Sequence, residues 1–233
     1  MGRYLLPLAS CLLPLAFNMH LLITAGPTRE HIDSVRFLSN PSSGRFGYAI
    51  AEEAARRGHR AILVSGPVDL ADPTGVDVIR VVSAHAMYRA ATALFPECQA
   101  AIMAAAVCDF RPAKRFDQKV PKSKRPRSLV LVPTEDIAAH LGRIKADRVV
   151  VGFALEDHDH QRHAEEKLQR KNCDAIVLNS LSNIGADDGE IQILKADGGW
   201  QPPIRGTKKQ MAGAIVEMTE SLVAARTQGQ RMG

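Results

Sequence analysis

Two stretches of the 233-residue chain carry side chains suited to holding anions. The first, Ser39-Asn40-Pro41-Ser42-Ser43-Gly44-Arg45-Phe46-Gly47, sets small residues and hydroxyls ahead of a helical pattern. Such a segment leaves backbone N–H groups free to hold a phosphate. The second runs from Arg111 to Arg127 and gathers Arg111, Lys114, Arg115, Lys119, Lys122, Lys124, Arg125 and Arg127 around a single acid, Asp117. A stretch of that charge attracts anions. The segment Asp157-His158-Asp159-His160-Gln161-Arg162-His163 has the composition of a metal site, but acids in the first turn of an exposed helix account for it through the helix dipole. The four cysteines, Cys11, Cys98, Cys108 and Cys173, form no C-x-x-C pair, which points to reduced, buried thiols.

The elements that must position these residues follow from hydrophobic period. Short apolar runs alternate with helical stretches from Met19 onward, the pattern of βαβ units and a mostly parallel sheet. Six strands are predicted: His20 to Ala25, Arg60 to Ser65, Asp77 to Val82, Ala100 to Ala105, Arg148 to Ala154 and Asp174 to Asn179. Phe46, Ile50 and Ala54 recur at four-residue spacing up to Gly58, so a helix with a C-terminal glycine follows the first loop. Ser83 and Thr134 read as helix N-caps. Glu190 to Lys195 with Asp197-Gly198-Gly199 reads as a hairpin, and Lys208 to Ala225 as a closing helix. The fold class expected is α/β: a Rossmann-like, mostly parallel sheet flanked by helices, with a β-hairpin and flap extension.

Composition narrows the class further. A hydrophobic content of 45% with 24% charged residues is that of a globular protein, and the net charge is a mild +5. The apolar run Leu5 to Phe17 is broken by Pro7 and Pro14 and is too short to span a bilayer. Residues 1–18 are therefore expected to be a leader outside the domain, 19–225 the domain, and 226–233 a flexible tail. Nearly twenty residues separate the first strand from the first helix, and G-x-G-x-x-G is absent, so this is not the dinucleotide fingerprint. A structureless loop of that length in a compact domain is usually functional.

The residues of that loop and of several later segments resemble a known family. Ile23-Thr24-Ala25-Gly26-Pro27-Thr28-Arg29-Glu30, Leu38-Ser39-Asn40-Pro41-Ser42-Ser43-Gly44 and Ala104-Ala105-Ala106-Val107-Cys108-Asp109-Phe110-Arg111-Pro112 closely resemble phosphopantothenoylcysteine synthetase. Lys119-Val120-Pro121-Lys122, Glu135-Asp136-Ile137, Val151 to Glu156, and Lys167 to Lys171 with Asp174 continue the likeness. It covers residues 19 to 225, in order.

The resemblance implies a ligase that joins 4′-phosphopantothenate and cysteine in coenzyme A synthesis. CTP activates the carboxylate as an acyl-cytidylate with release of pyrophosphate, and the cysteine amine then displaces CMP. It implies catalytic roles for Asn40, at the acyl carbonyl, and for Lys119, over the phosphates on a mobile flap. Met103, Ala104, Ala105, Asp109, Lys119, Glu135, Asp136, Ile137, Ala138, Phe153, Lys167 and Lys171 are implied to bind nucleotide. Asn40, Ser43, Gly44, Ala105, Ala106 and Lys122 are implied to bind the acid. Asp109 would meet the Mg²⁺ that accompanies the triphosphate. No flavin is expected: a separate flavin-dependent decarboxylase would act next. A homodimer in the cytoplasm is implied, with no nucleic acid or membrane partner. Two positions depart from the family pattern, Pro121 in place of a second lysine and Ser180 where aspartate often follows Asn179.

Two other classes were weighed. A nicotinamide-dependent Rossmann oxidoreductase would also open on a βα unit, but Tyr4, Tyr48 and Tyr88 lack a lysine four residues on. A nucleic-acid module would explain the basic stretch, yet only Phe110 and Phe116 are there to stack on bases.

Overall fold

In a computed structural model, residues 18–231 are described, apart from Asp157, Leu181, Ser182 and Ile184. The leader expected at the N-terminus, with Cys11, lies outside them but for Asn18.

The predicted strands form the parallel part of one nine-stranded sheet. Strand β1 (His20–Ala25) lies at its centre between β4 (Arg60–Ser65) and β6 (Ala100–Met103). The parallel order continues through β5 (Val76–Arg80) on one side and through β9 (Val149–Leu155) and β10 (Ala175–Asn179) on the other. Leu21, Leu22, Ile23, Leu63, Val64, Ile102 and Val150 are buried, as a sheet covered on both faces requires. The predicted hairpin is strand β11 (Asp188–Lys195), which pairs antiparallel with β10 and with both β12 (Gly199–Trp200) and β13 (Ile204–Thr207). It therefore closes the sheet's edge.

Helices cover both faces. Helices α1 (Arg45–Arg56) and α5 (Lys208–Arg231) pack on one face, where Ile50, Ala54, Met211, Ile215 and Val216 meet β1 and β9. Helices α2 (Ala84–Leu94), α3 (Ile137–Ile144) and α4 (His160–Arg170) pack on the other, through Met87, Leu141 and Leu168. The α1–α5 pair is joined by charge as well as by apolar contact. Glu53 accepts from Arg56 and Arg57 at 2.7–2.9 Å, and Arg57 reaches Glu220 of α5 at 2.9 Å. The Arg56 guanidinium, then Arg57, holds the Glu53 carboxyl down at about 2.

Several boundaries differ from the sequence reading, each for a local reason. The strand expected to reach Ala105 leaves the ladder after Met103, because the chain bends to follow the β1 loop: Ala105 N–H donates to Thr24 Oγ1 and Ala106 N–H to the Gly26 carbonyl. The strand expected over Asp77 to Val82 is shifted toward its start, pairing from Val76 opposite Ala61. Thr134 does not cap α3. Its hydroxyl donates to the Cys108 carbonyl at 2.6 Å, and Asp136 is the cap, accepting from the Ala139 N–H at 3.1 Å. Ser83 does cap α2. Of the acids expected in the first turn of α4, Asp159 is instead its N-cap, and Asp157 lies outside the described residues. The closing helix continues past Ala225 to Arg231, and Arg226 inside the expected tail bonds the carboxylate of Asp174.

The long first loop is not structureless. It contains the hairpin of β2 (Arg29–His31) and β3 (Phe37–Ser39), turned around Asp33. That buried carboxylate accepts the N–H groups of Val35 and Arg36 and the Arg36 guanidinium. The Arg36 N–H above all holds its carboxyl far below the usual range. A second ribbon, β7 (Phe110–Pro112) with β8 (Leu131–Pro133), stands beside it and carries the basic flap between its strands.

Candidate active site

Strand order reverses on either side of β1: the chain runs from β1 to β4 and β5, then returns to β6 on the opposite side. In open α/β sheets the crevice outside the carboxyl ends of strands at such a switch point receives ligands. A cavity of about 720 Å³ lies there, reaching from Thr24 of β1 across Met103 to Gly152–Leu155 of β9. Its walls are the α1–α5 side and the α3–α4 side of the sheet.

The α1 wall is built by glycines. Gly44 caps α1 at φ 75°, a left-handed conformation, and a Cβ there would sit 2.7 Å from Val68 Cγ1. A Cβ on Gly47 would sit 2.5 Å from that of Ala25, so the first turn lies directly on the end of β1. Gly44 has no side chain to cap α1; the Arg45 N–H meets Ser43 Oγ at 3.5 Å, and the N–H groups of Phe46 and Gly47 are the ones left toward the cavity. Ser42, Ser43 and Arg45 line the same wall. Phe46 meets Phe153 of β9 edge to face, ring centres 5.5 Å apart, and joins the two walls through the cavity.

The opposite wall is charged and internally paired. Lys167 lies 3.3 Å from both the Phe153 carbonyl and Glu156 Oε1, and Lys171 bonds Asp136 Oδ1 at 3.0 Å. Burial raises the Asp136 carboxyl, but the Ala139 N–H and Lys171 outweigh it and hold it below its ordinary value. Glu135 bonds His85 Nδ1 at 2.7 Å, which lowers its carboxyl; its other oxygen, Oε2, is buried without a hydrogen-bond partner. That oxygen can take a donor from a ligand.

The sequence-derived candidates converge with two exceptions. Asn40, Ser43, Gly44, Met103, Ala104, Ala105, Ala106, Asp109, Glu135, Asp136, Ile137, Ala138, Phe153, Lys167 and Lys171 all line the cavity. Lys119 and Lys122 do not line it; both are exposed on the flap. The flap is tied instead to the β2–β3 hairpin: Val120 N–H donates to Asp33 Oδ2 at 3.1 Å, and Arg36 donates to the Val120 carbonyl at 2.6 Å. Asn40 lines the cavity with its amide already anchored. Its amide nitrogen donates to the carbonyls of Ala106 and Val107 at 3.2 and 3.1 Å. The side chain thus pins the first loop to the β6 loop, and the amide oxygen is the atom left for a ligand.

Residues missed by sequence reasoning include Thr24, Arg45, Asn179, Asn183, Lys208 and Met211. Lys208 and Met211 lay in what read as an ordinary amphipathic helix, and no local signal marked them. Cys108 beside the site is buried and donates its S–H to the Thr28 and Leu38 carbonyls, and burial pushes its thiol up. With Cys98 and Cys173, also free and buried, it behaves as a packing residue.

The sequence pattern of the DNA/pantothenate metabolism flavoprotein C-terminal domain matches residues 17–222. A cysteine/cysteine sulfinic acid decarboxylase from an unknown prokaryotic organism is 44% identical over 207 residues, 86% of this chain and 58% of that protein. The coenzyme A biosynthesis bifunctional protein CoaBC of Bacillus subtilis is 44% identical over 184 residues, 77% of this chain and 45% of its own. The crystal structure of a C-terminal domain of CoaBC superposes with a TM-score of 0.77 at 36% identity, covering 90% of this chain and 98% of that domain. The chain spans about half the length of the curated relatives it matches.

Proposed function

The chain belongs to the DNA/pantothenate metabolism flavoprotein C-terminal domain family, and on that premise we propose that it joins 4′-phosphopantothenate to cysteine at the expense of CTP. The observation that carries this function is the single cavity at the switch point. It brings the α1 N-terminus and the Asn40 loop face to face with Lys167, Lys171 and Asp136. A carboxylate activated on a nucleotide needs such a site: anion-holding groups on both sides of a carboxyl group that reacts first through its oxygen and then at its carbon.

In the first step the acid's carboxylate attacks the α-phosphorus and pyrophosphate leaves. Negative charge builds on the phosphoryl oxygens, and the free N–H groups of α1 with the cavity's cations offset it. In the second step the cysteine amine attacks the acyl carbon and CMP leaves. Asn40, whose amide nitrogen donates to the Ala106 and Val107 carbonyls, is the side chain we assign to that carbon. Phe46 and Phe153 keep the space between the walls apolar, which strengthens every charge interaction in it. Mg²⁺ would enter with the triphosphate and offset its charge. The described residues contain no cluster of three or more metal-ligating side chains, and Asp109, an exposed carboxylate on the cavity, is the donor that fits an ion carried in by substrate.

As part of the same proposal, removal of the product's cysteine carboxylate is assigned to a flavin-dependent decarboxylase. A cytoplasmic location belongs to the same proposal. Among the described residues no helix is long and apolar enough to cross a membrane.

The assay that tests the function measures pyrophosphate release with each nucleoside triphosphate in turn. Release is expected with CTP and 4′-phosphopantothenate, and product only when cysteine is added. Absence of pyrophosphate with every triphosphate would overturn the activity; release with ATP alone would overturn the choice of CTP.

A homodimer is also proposed. The β2–β3 hairpin and the β7–β8 ribbon lie outside the main sheet and expose Val35, Phe37, Phe110, Phe116, Val130 and Leu131. Unpaired edges and apolar side chains of this kind are usually covered. Sedimentation velocity at micromolar concentration is expected to show a dimer, and a monomer alone would contradict it.

A further inference from the structure

Four cationic side chains line the cavity: Arg45, Lys167, Lys171 and Lys208. Three are paired with carboxylates, Arg45 with Asp187, Lys167 with Glu156 and Lys171 with Asp136. Lys208 makes no ion pair among the described residues. Its ammonium donates only to the Asn183 carbonyl, at 3.4 Å, and Asn183 itself is buried and bonded to Asn179 and Glu190. Burial pushes the Lys208 ammonium below its ordinary value, against the pull of Asp187 and Asp188. A half-buried cation left without its counter-charge is costly unless an anion arrives.

The end of α5 itself is not what attracts the anion. Thr207 and Gln210 form a reciprocal capping box: Thr207 N–H donates to Gln210 Oε1 and Gln210 N–H to Thr207 Oγ1. The helix N–H groups they satisfy are spent, so the side-chain charge of Lys208 is what faces the cavity. Beside it the α1 wall supplies Arg45, whose partner Asp187 is 90% exposed and therefore a weak competitor.

We infer that Lys208 is the phosphate-holding cation of the α1–α5 wall, receiving a phosphoryl group of a substrate that lies across the sheet edge. The inference rests on the proposed ligase function and extends it to a residue outside every motif noted in the sequence. Two phosphoryl groups have the required chemistry, the terminal phosphate of the acid and the pyrophosphoryl end of the triphosphate. On the opposite wall Lys167 and Lys171 already carry partners, so a substrate bearing charge at both ends would find its second anchor here.

Lys208→Met is expected to raise KM for one phosphorylated substrate about tenfold or more while kcat stays within about threefold. Lys208→Arg should recover most of the loss. A rise confined to 4′-phosphopantothenate identifies the acid's phosphate as the ligand, and a rise confined to CTP identifies the triphosphate end; either supports the site. Unchanged KM for both substrates, or a fall in kcat alone, overturns it. Should Lys208→Met lose its cooperative thermal transition, Lys208→Gln compared with Lys208→Arg gives the same contrast. Calorimetric titration of 4′-phosphopantothenate and of inorganic pyrophosphate needs no turnover. If the wild-type protein binds either and Lys208→Met weakens it about tenfold, Lys208 stands even where the ligase assay fails.

Discussion

Asn40→Asp is expected to stop the reaction after activation, with acyl-cytidylate accumulating and product formation falling a hundredfold or more. The substitution keeps the size of the side chain and reverses its hydrogen bonding on one side. Asn40 donates to the carbonyls of Ala106 and Val107 at 3.2 and 3.1 Å, so an aspartate would set a carboxylate oxygen against two carbonyl oxygens. The loop that carries Ser42, Ser43 and Gly44 would lose its tie to the β6 loop, and an anion would stand beside the carbonyl that cysteine attacks. Losing one such positioned group costs on the order of 3 kcal/mol in comparable electrostatic sites. In the proposed reaction, attack of the carboxylate on the α-phosphorus depends chiefly on Lys167, Lys171 and the N–H groups of α1, which the helix itself holds in place, so CTP should still be consumed in a single turnover. Rapid-quench measurement of CTP and of trapped intermediate tests this. Loss of CTP consumption with no intermediate would show that Asn40 acts in the first step or only holds the fold of the loop.

Lys119→Gln is expected to fail earlier, slowing pyrophosphate release by about a hundredfold through loss of one cation over the phosphates. Geometry makes the test sharper than the motif alone. Lys119 is exposed and lies off the cavity, while its neighbour Val120 is tied to Asp33 and Arg36 on both its N–H and its carbonyl. Lys119 can therefore act only if the flap between β7 and β8 closes over bound substrate, with the Asp33–Arg36 turn as its anchor. Pro121, which follows the anchored residue, limits the backbone there and favours a hinge on one side of Lys119. An unchanged rate of pyrophosphate release in Lys119→Gln would assign the phosphates to Arg45, Lys167, Lys171 and Lys208 alone, and would leave the flap a role in covering the cavity only.

The two substitutions differ in what each depends on, and this separates local from tertiary information. Asn40 sits in a loop whose small residues, hydroxyls and glycines can be recognised from spacing alone, because phosphate-holding backbone needs those residue types wherever it occurs. Lys119 sits in a basic stretch whose composition is equally visible, but its distance from the cavity depends on how a flap packs on a hairpin more than 80 residues earlier in the chain.

The parallel sheet was legible for the same reason as the Asn40 loop. Strands buried on both faces must be apolar runs of five or six residues, and helices between them must repeat every three or four, so period alone separates them. Boundaries were less legible, since Thr134 and Asp136 are both good capping residues and the choice fell to a carbonyl: Cys108 took the Thr134 hydroxyl. The hairpin inside the first loop was hidden because its turn is held by Asp33 through hydrogen bonds to Arg36 and Val120, the latter from a distant segment.

The sequence by itself determined the fold class and marked the small, hydroxyl-rich loop before α1, because both depend on residue type at short spacing; the other candidate residues at the cavity came from the family resemblance. Only the tertiary structure decided which cations are already neutralised and which face the cavity unpaired. Lys167, Lys171 and Lys208 are alike in sequence. They differ because α4 packs on the face where Glu156 and Asp136 stand, while α5 packs on the other, where among the described residues the Lys208 ammonium donates to the Asn183 carbonyl and contacts no carboxylate. For these three lysines the pairing is set by where each helix packs, and no spacing along the chain records that.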